Sequence, residues 1–264
     1  ATVRFGTATR PGGVVAARIT PLRLEAFEQL PKHARRCVYW EVDPLTVGAE
    51  GHLSDPEFEK EAWLSMVMLE WGSCGQLAVD IKDVAVGEEP ASDTGDEPCL
   101  GYVFYAPPRS VPRAGRFPTG PVSADAVLLT SLGIDPGEAA QELSRTLIAA
   151  VVADLVRRGV RALEAFGRTA EVAALSDPAQ RPADVIPVME ALGDCSVEQC
   201  VLDSDLLLDA GFVVVSHHTY FPRLRLELEQ GLGWKADVEA ALERLLQSAQ
   251  LQTVGSGASS VQFA

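Results

Sequence analysis

The chain has 264 residues, 47% of them hydrophobic and 22% charged, the balance of a folded globule with one large domain. Its 22 Lys and Arg against 37 Asp and Glu leave a net charge of −15. A surface of that sign repels phosphate backbones and anionic lipid, which argues against general nucleic-acid or membrane binding. No apolar run reaches the roughly 18–20 residues of a membrane helix, and the longest, from Thr146 to Val156, is broken by Asp154.

Residues 1–18 are small, Gly-bearing and weakly patterned, and are expected to form a mobile arm. Ala1 to Gly13 has no apolar h-region, so no secretory signal is expected. Thr20-Pro21 opens a helix-like stretch with Leu22, Leu24, Phe27 and Leu30 as its apolar positions, interrupted at Pro31. Val38-Tyr39-Trp40 reads as extended or buried. Glu57 to Gly72 reads as a strong helix with Phe58, Trp63, Met66 and Val67 near one side and Gly72 as its stop. Gln76 to Ile81 and Cys99 to Tyr105 read as strands. The acidic stretch between them lacks calcium-loop spacing and reads as a solvated excursion. Pro107 to Pro121 is a loop carrying Arg109, Arg113 and Arg116, and Asp125 to Ile134 is a buried strand.

Asp135-Pro136-Gly137-Glu138 supplies an N-cap acid, a proline at the first helical position and a glutamate that closes a capping box. The helix this predicts runs to about Arg158, where Gly159 stops it. Leu143, Leu147, Ile148, Val151, Val152 and Leu155 form its buried stripe. Val160 to Phe166 follows as a strand, so the segment predicts a βαβ unit with parallel strands and a right-handed crossover. Val185 to Leu192 reads as helical, and Asp203 to Ala210 as a short helix ended by Gly211. Phe212 to His218 and Leu224 to Leu228 read as strands. A last amphipathic helix runs from about Lys235 to Gln247. The domain plan is an arm at 1–18, one domain at 19–230, a C-terminal helix at 231–248 and a flexible tail at 249–264.

Leu129-Thr130-Ser131-Leu132-Gly133-Ile134-Asp135-Pro136, the long helix to Gly159 and the strand at Val160 resemble the fourth strand, cofactor loop, third helix and fifth strand of the GNAT acyltransferase superfamily. Leu207-Leu208-Asp209-Ala210-Gly211-Phe212 resembles that family's short helix ending in Gly-Phe, and Phe212 to Leu228 resembles its last two strands. The resemblance covers about Leu22 to Leu228. It implies an α/β fold with a mixed, mostly antiparallel sheet, a central splayed parallel strand pair and helices on both faces. It also implies an N-acyltransferase that moves an acetyl or other acyl group from acyl-coenzyme A to an amine, by direct attack in a ternary complex. Acetyl-coenzyme A would lie in the V between the strands of Asp125–Ile134 and Val160–Phe166. Its pantetheine would pair with backbone groups near Leu132, Gly133 and Ile134. Its pyrophosphate would rest on the helix start along Ala139, Ala140, Gln141, Glu142, Leu143, Ser144 and Arg145.

The places where the family pattern carries a basic or Gln residue and then glycines hold Ala139, Ala140, Glu142 and Ser144 here. The family's tyrosine acid falls on Leu207. These departures support a second expectation: a binding or regulatory module on the same fold, without transferase activity.

Amine acylation needs a base and an acid. Asp125 stands near the place where the resemblance puts a base on the fourth strand; its plainer reading is a strand-entry residue facing solvent. Glu41 follows the aromatic, Cys-bearing patch Cys37-Val38-Tyr39-Trp40 and would line an acceptor pocket; its plainer reading is a surface residue beside a core Trp40. Tyr220 is the nearest phenol to replace the missing acid, against a plainer role as an edge aromatic. His33 and Cys37 are four apart and share a face if helical, a spacing suited to a metal pair or an activated thiolate. Nothing nearby supplies two more ligands, so no metal is expected. His217 and His218 would point to opposite faces of a strand, and Arg223 and Arg225 share one face. The five cysteines are odd in number and include no CxxC pair, which points to reduced thiols and a cytoplasmic location. Gly-x-Ser-x-Gly, Walker and Rossmann patterns are absent, which leaves hydrolase, nucleotide-triphosphatase and dinucleotide readings without support. The acidic surface favours a cationic acceptor, either a small-molecule amine or a basic protein segment. A homodimer through a sheet edge or the last helix stays open.

Overall fold

The computed structural model describes residues 7–10, 13–42, 54–81, 98–136, 140–193 and 195–228. The acidic excursion, Ala139, the C-terminal helix at 231–248 and the tail at 249–264 lie outside the described residues. The strands are β1 (Thr7–Arg10), β2 (Gly13–Pro21), β3 (Gly75–Ile81), β4 (Cys99–Ala106), β5 (Ala126–Ile134), β6 (Ala162–Arg168), β7 (Leu202–Asp203), β8 (Val213–Ser216) and β9 (Arg223–Glu227). The helices are α1 (Lys32–Arg36), α2 (Pro56–Trp71), α3 (Ala140–Arg157), α4 (Ile186–Glu190), α5 (Val197–Cys200) and α6 (Ser204–Asp209). The sheet runs β1-β2-β3-β4-β5-β6-β9-β8, with β7 added to β6. Neighbours are antiparallel except β5 with β6 and β6 with β7.

Strand alternation sorts the apolar residues onto two faces. Leu77, Val79, Tyr102, Phe104, Ala106, Leu128 and Phe166 pack with α1, α2, α4 and α5. Ala78, Val103, Tyr105, Val127, Leu129, Leu163 and Ala165 pack with α3 and α6. Each large side chain so buried contributes about 1.5–3 kcal/mol. Polar groups fix α3 on its face. Tyr105 donates to Asp154 at 2.9 Å and receives Gln76 Nε2 at 3.0 Å. Arg158 reaches Asp154 and the carbonyls of Ser73 and Trp71.

The structure corrects the expected elements at four places. The stretch expected to be an arm contributes β1 and β2, and β2 pairs with β3 from Ala16↔Ile81 to Pro21↔Gln76. An edge hairpin takes its order from ladder bonds, which leave no mark in the side-chain pattern. The helix expected from Thr20 is instead the end of β2 followed by a short 3-10 turn over Leu24–Gln29. In α2 the buried side is Lys60, Trp63, Leu64 and Val67, whereas Phe58 and Met66 face solvent. Finally, Pro136 lies outside the helix, and α3 is described from Ala140, with residues 137–139 outside the described residues. Its end is as expected: Gly159 takes φ 78°, a conformation that only glycine adopts freely.

Candidate active site

β5 and β6 pair at Ala126↔Ala162, Val127↔Leu163 and Leu128↔Glu164, and then part. A bulge accompanies the parting. Phe104 faces Ser131 and Tyr105 faces Leu129, so Thr130 is an extra residue on β5. A bulge bends its strand, and the Thr130 hydroxyl pins this one by donating to the Phe104 carbonyl at 3.2 Å. Burial changes at the same point: Ala126–Thr130 are buried and Ser131–Ile134 are partly exposed. Asp135 donates its N–H to Leu100 of β4 at 2.8 Å, which sets the alternation along the strand. Gly133 therefore turns its polar groups toward β4, while Leu132 and Ile134 turn theirs to the edge that β6 has left. Gly133 also makes room: a Cβ there would collide with the Tyr102 ring.

The opposite wall comes from the insert after β6. At Gly167 and Thr169 one edge of β6 donates to the carbonyls of Pro222 and Tyr220. β7, paired at Gly167 and Arg168, therefore lies on the β5 side. Both β7 and α5 touch β5. Arg168 holds Asp203 at 2.9 Å, and Asp203 caps α6 through the N–H of Asp205. α5 and β7 thus stand beside the edge of β5 that β6 has left.

The expected phosphate-facing residues Ala140, Gln141, Glu142 and Leu143 are the first described residues of α3. Ser144 turns its hydroxyl back to the Ala140 carbonyl at 2.8 Å. Gln141 and Arg145 both reach Asp209 of α6, at 3.3 and 3.2 Å. Arg145 and Asp209 line a groove of about 500 Å³ between α3, α6 and β9. Arg113 is buried and donates to the carbonyls of Tyr39 and Val42. Its loop follows the end of β4 that faces Leu128, the opposite end of β5 from the start of α3.

The three candidate catalytic side chains are not brought together. Asp125 lies just before β5, where β5 and β6 are still paired. Its carboxylate takes both terminal nitrogens of Arg225, at 3.1 and 3.0 Å, and that guanidinium holds it below the ordinary carboxylate range. Glu41 is buried, contrary to its plainer surface reading, with Lys60 Nζ at 2.5 Å. Burial pushes its carboxyl up, against the pull of Lys60. Tyr220 stands near the open end of β6, where its carbonyl accepts from Thr169 and its N–H donates to His218 Nδ1 at 3.1 Å. Its phenol has no hydrogen-bond partner among the described residues. Leu207, at the place of the family's tyrosine, is fully buried.

His218 accepts the N–H groups of Tyr220 and Phe221 at Nδ1 and faces Asp184 with Nε2. Arg223 and Arg225 converge on Glu164, which is fully buried. Burial pushes Glu164 up, but donation from Ser123 and both arginines outweighs it and holds the carboxyl low. His33 and Cys37, a pair without further ligands in the sequence, meet Cys195 and Cys200 in the fold. Those two cysteines stand five apart on the far side of the chain; the only sequence signal was two spaced donor pairs.

No protein-family model and no curated protein matches the chain. Similar solved structures include a GNAT-family acetyltransferase from Streptococcus pneumoniae, at 14% identity over 81% of this chain and 99% of that one, with a TM-score of 0.42. The PaiA N-acetyltransferase from Thermoplasma acidophilum, in complex with coenzyme A, is 10% identical over 80% of this chain and 99% of that one, with a TM-score of 0.41. An N-acetyltransferase from Staphylococcus aureus is 11% identical over 81% and 99%, also at 0.41. The mixed sheet, the parting parallel pair and the helices on both faces are the GNAT-like architecture that the sequence leads one to expect.

Proposed function

We propose that the protein is an N-acyltransferase that binds acetyl-coenzyme A or another acyl-coenzyme A and transfers the acyl group directly to an amine. The observation that carries this reading is the open edge of β5. Past the last pair with β6, Leu132 and Ile134 turn their backbone groups away from β4, and the proposed slot runs along them toward the start of α3. A pantetheine arm has amides to pair with such an edge as an added strand would, and the amides of a helix start suit a pyrophosphate. In direct transfer the amine nitrogen attacks the thioester carbonyl, the carbon–sulfur bond breaks, the ammonium proton goes to a base and the departing thiolate takes a proton from an acid. Tyr220 is the phenol nearest the open end and is assigned as that acid. The net charge of −15 favours a cationic acceptor. Among the described residues no helix is long and apolar enough to cross a membrane, and the free thiols suit a reducing cytoplasm.

A second reading, a coenzyme A-binding or regulatory module without transfer, draws on β7, which stands in the gap between β5 and β6. Thiol release from acetyl-coenzyme A, measured with a panel of polyamines and lysine-rich peptides, separates the two. Amine-dependent release supports transfer; ligand binding with no release under any amine supports the module.

A further inference from the structure

Four donor side chains converge beside the slot from two distant parts of the chain. His33 lies in α1, and Cys37 caps that helix by donating its N–H to the His33 carbonyl at 2.7 Å. Cys195 follows α4, and Cys200 ends α5. Cys37 Sγ lies 3.6 Å from Cys200 Sγ and 4.0 Å from Cys195 Sγ. The donor atoms of all four residues lie within 4.8 Å of one another. Cys200 is buried and the other two thiols are partly buried.

We propose that His33, Cys37, Cys195 and Cys200 hold one structural Zn²⁺, which staples α5, a wall of the slot, to α1.

The spacing suits that ion. Zinc–sulfur bonds of about 2.3 Å at tetrahedral angles put sulfur atoms about 3.8 Å apart, and the separations of 3.6 and 4.0 Å bracket that value. A disulfide requires about 2.05 Å and would engage only two of the three sulfurs. A multi-iron cluster adds metal–metal distances between its ligands and needs donors set wider than this quartet. Calcium and magnesium require oxygen donors, and the quartet has none. A ligating imidazole normally gives its other N–H to a carbonyl, and the backbone of Gln199 lies near His33. Four protein donors complete a tetrahedron and leave no open position for substrate, which makes the ion structural.

Binding is balanced by proton release. Zn²⁺ displaces the three thiol protons to solvent and joins three thiolates and a neutral imidazole, which gives a centre of net charge −1. The buried Lys60, already paired with Glu41, lies close enough to act on both His33 and Cys37. Cys195 lines a surface groove of about 300 Å³ with Arg181, Met189 and Ser196, which gives an ion access to the sulfur. The indole of Trp40 donates to the Cys200 carbonyl at 2.8 Å, so the last turn of α5 is held from two sides. The contacts close loops of 158 and 163 residues. The ion therefore fixes the segment that leads into β7, and the proposal stands independently of acyl transfer.

The test uses the full chain, expressed with added zinc and purified under reducing conditions without chelator. Plasma mass spectrometry should find about one zinc per chain. After chelation, titration with Co²⁺ should produce the thiolate-to-cobalt absorption and tetrahedral d–d bands, saturating at one equivalent. Cys195→Ser and Cys200→Ser should each lose most of the metal, whereas Cys99→Ser, outside the quartet, should keep it. A chain without zinc that also gives no thiolate–cobalt band overturns the site. So does full metal content in both Cys195→Ser and Cys200→Ser. A metal-free chain whose unreduced mass shows a disulfide between Cys37 and Cys200 overturns it too. Should the serine variants not fold, the cobalt titration of the unaltered chain decides.

Discussion

The Thr130 hydroxyl donates to the Phe104 carbonyl at 3.2 Å, at the bulge on β5 one residue past Leu129 and two past the last pair with β6. This bond ties the curvature of β5 to the place where β6 parts from it. Thr130→Val keeps the shape and removes the donor, which costs about 1 kcal/mol and lowers Tm by roughly 2–4 °C in a domain of this size. Affinity for acetyl-coenzyme A should fall with it, and Thr130→Ser should restore both. Calorimetry on the two variants checks this; unaltered affinity in Thr130→Val would disconnect the bulge from the slot.

Ile134 offers a sharper probe. Its N–H faces the slot, so Ile134→Pro removes a proposed ligand donor without breaking a ladder bond to β4. The variant should stay folded by circular dichroism and lose about tenfold or more in coenzyme A affinity, the effect of a hydrogen bond of about 1.4 kcal/mol. Gly133→Ala acts the other way. Its Cβ would collide with the Tyr102 ring, so it should lose about 1–3 kcal/mol of stability in denaturant unfolding.

Glu164 makes the stability depend on pH. Its folded-state carboxyl sits below the ordinary value, which is about 4.3 for an unfolded glutamate. The stability it provides is full above that value and is lost as pH falls through the lower folded one. Melting curves should drop on acidification below about pH 4. Glu164→Gln should flatten that acid limb and, with Arg223 left without a carboxylate while Arg225 keeps Asp125 and Glu227, cost roughly 3 kcal/mol at pH 7. An acid limb that matches the unaltered chain would remove Glu164 from this role.

Tyr220→Phe should lower kcat by about 10²-fold or more, the range of a lost general acid, with KM nearly unchanged. A kcat equal to that of the unaltered chain would move the acid elsewhere.

Much of the fold can be read from the sequence where burial follows a period. β4, β5 and β6 show near-continuous apolar runs, and the α3 stripe from Leu143 to Leu155 recurs at helical spacing, so the βαβ unit is legible. β1 and β2 are not, because the ladders of β1 to β2 and of β2 to β3 carry no side-chain signature. The buried side of α2 is misread at Lys60, whose charge is hidden by Glu41 and by the Phe104 ring beneath its ammonium. The site is less legible than the fold. Asp125 looks like a free acid until Arg225, 100 residues on, is found on it. His33 and Cys37 look like half a metal site until folding adds Cys195 and Cys200.

The slot is tested most directly by isothermal calorimetry of the full chain with acetyl-coenzyme A. The account predicts saturable binding at one site with a Kd on the order of micromolar. No heat of binding at millimolar ligand would contradict it.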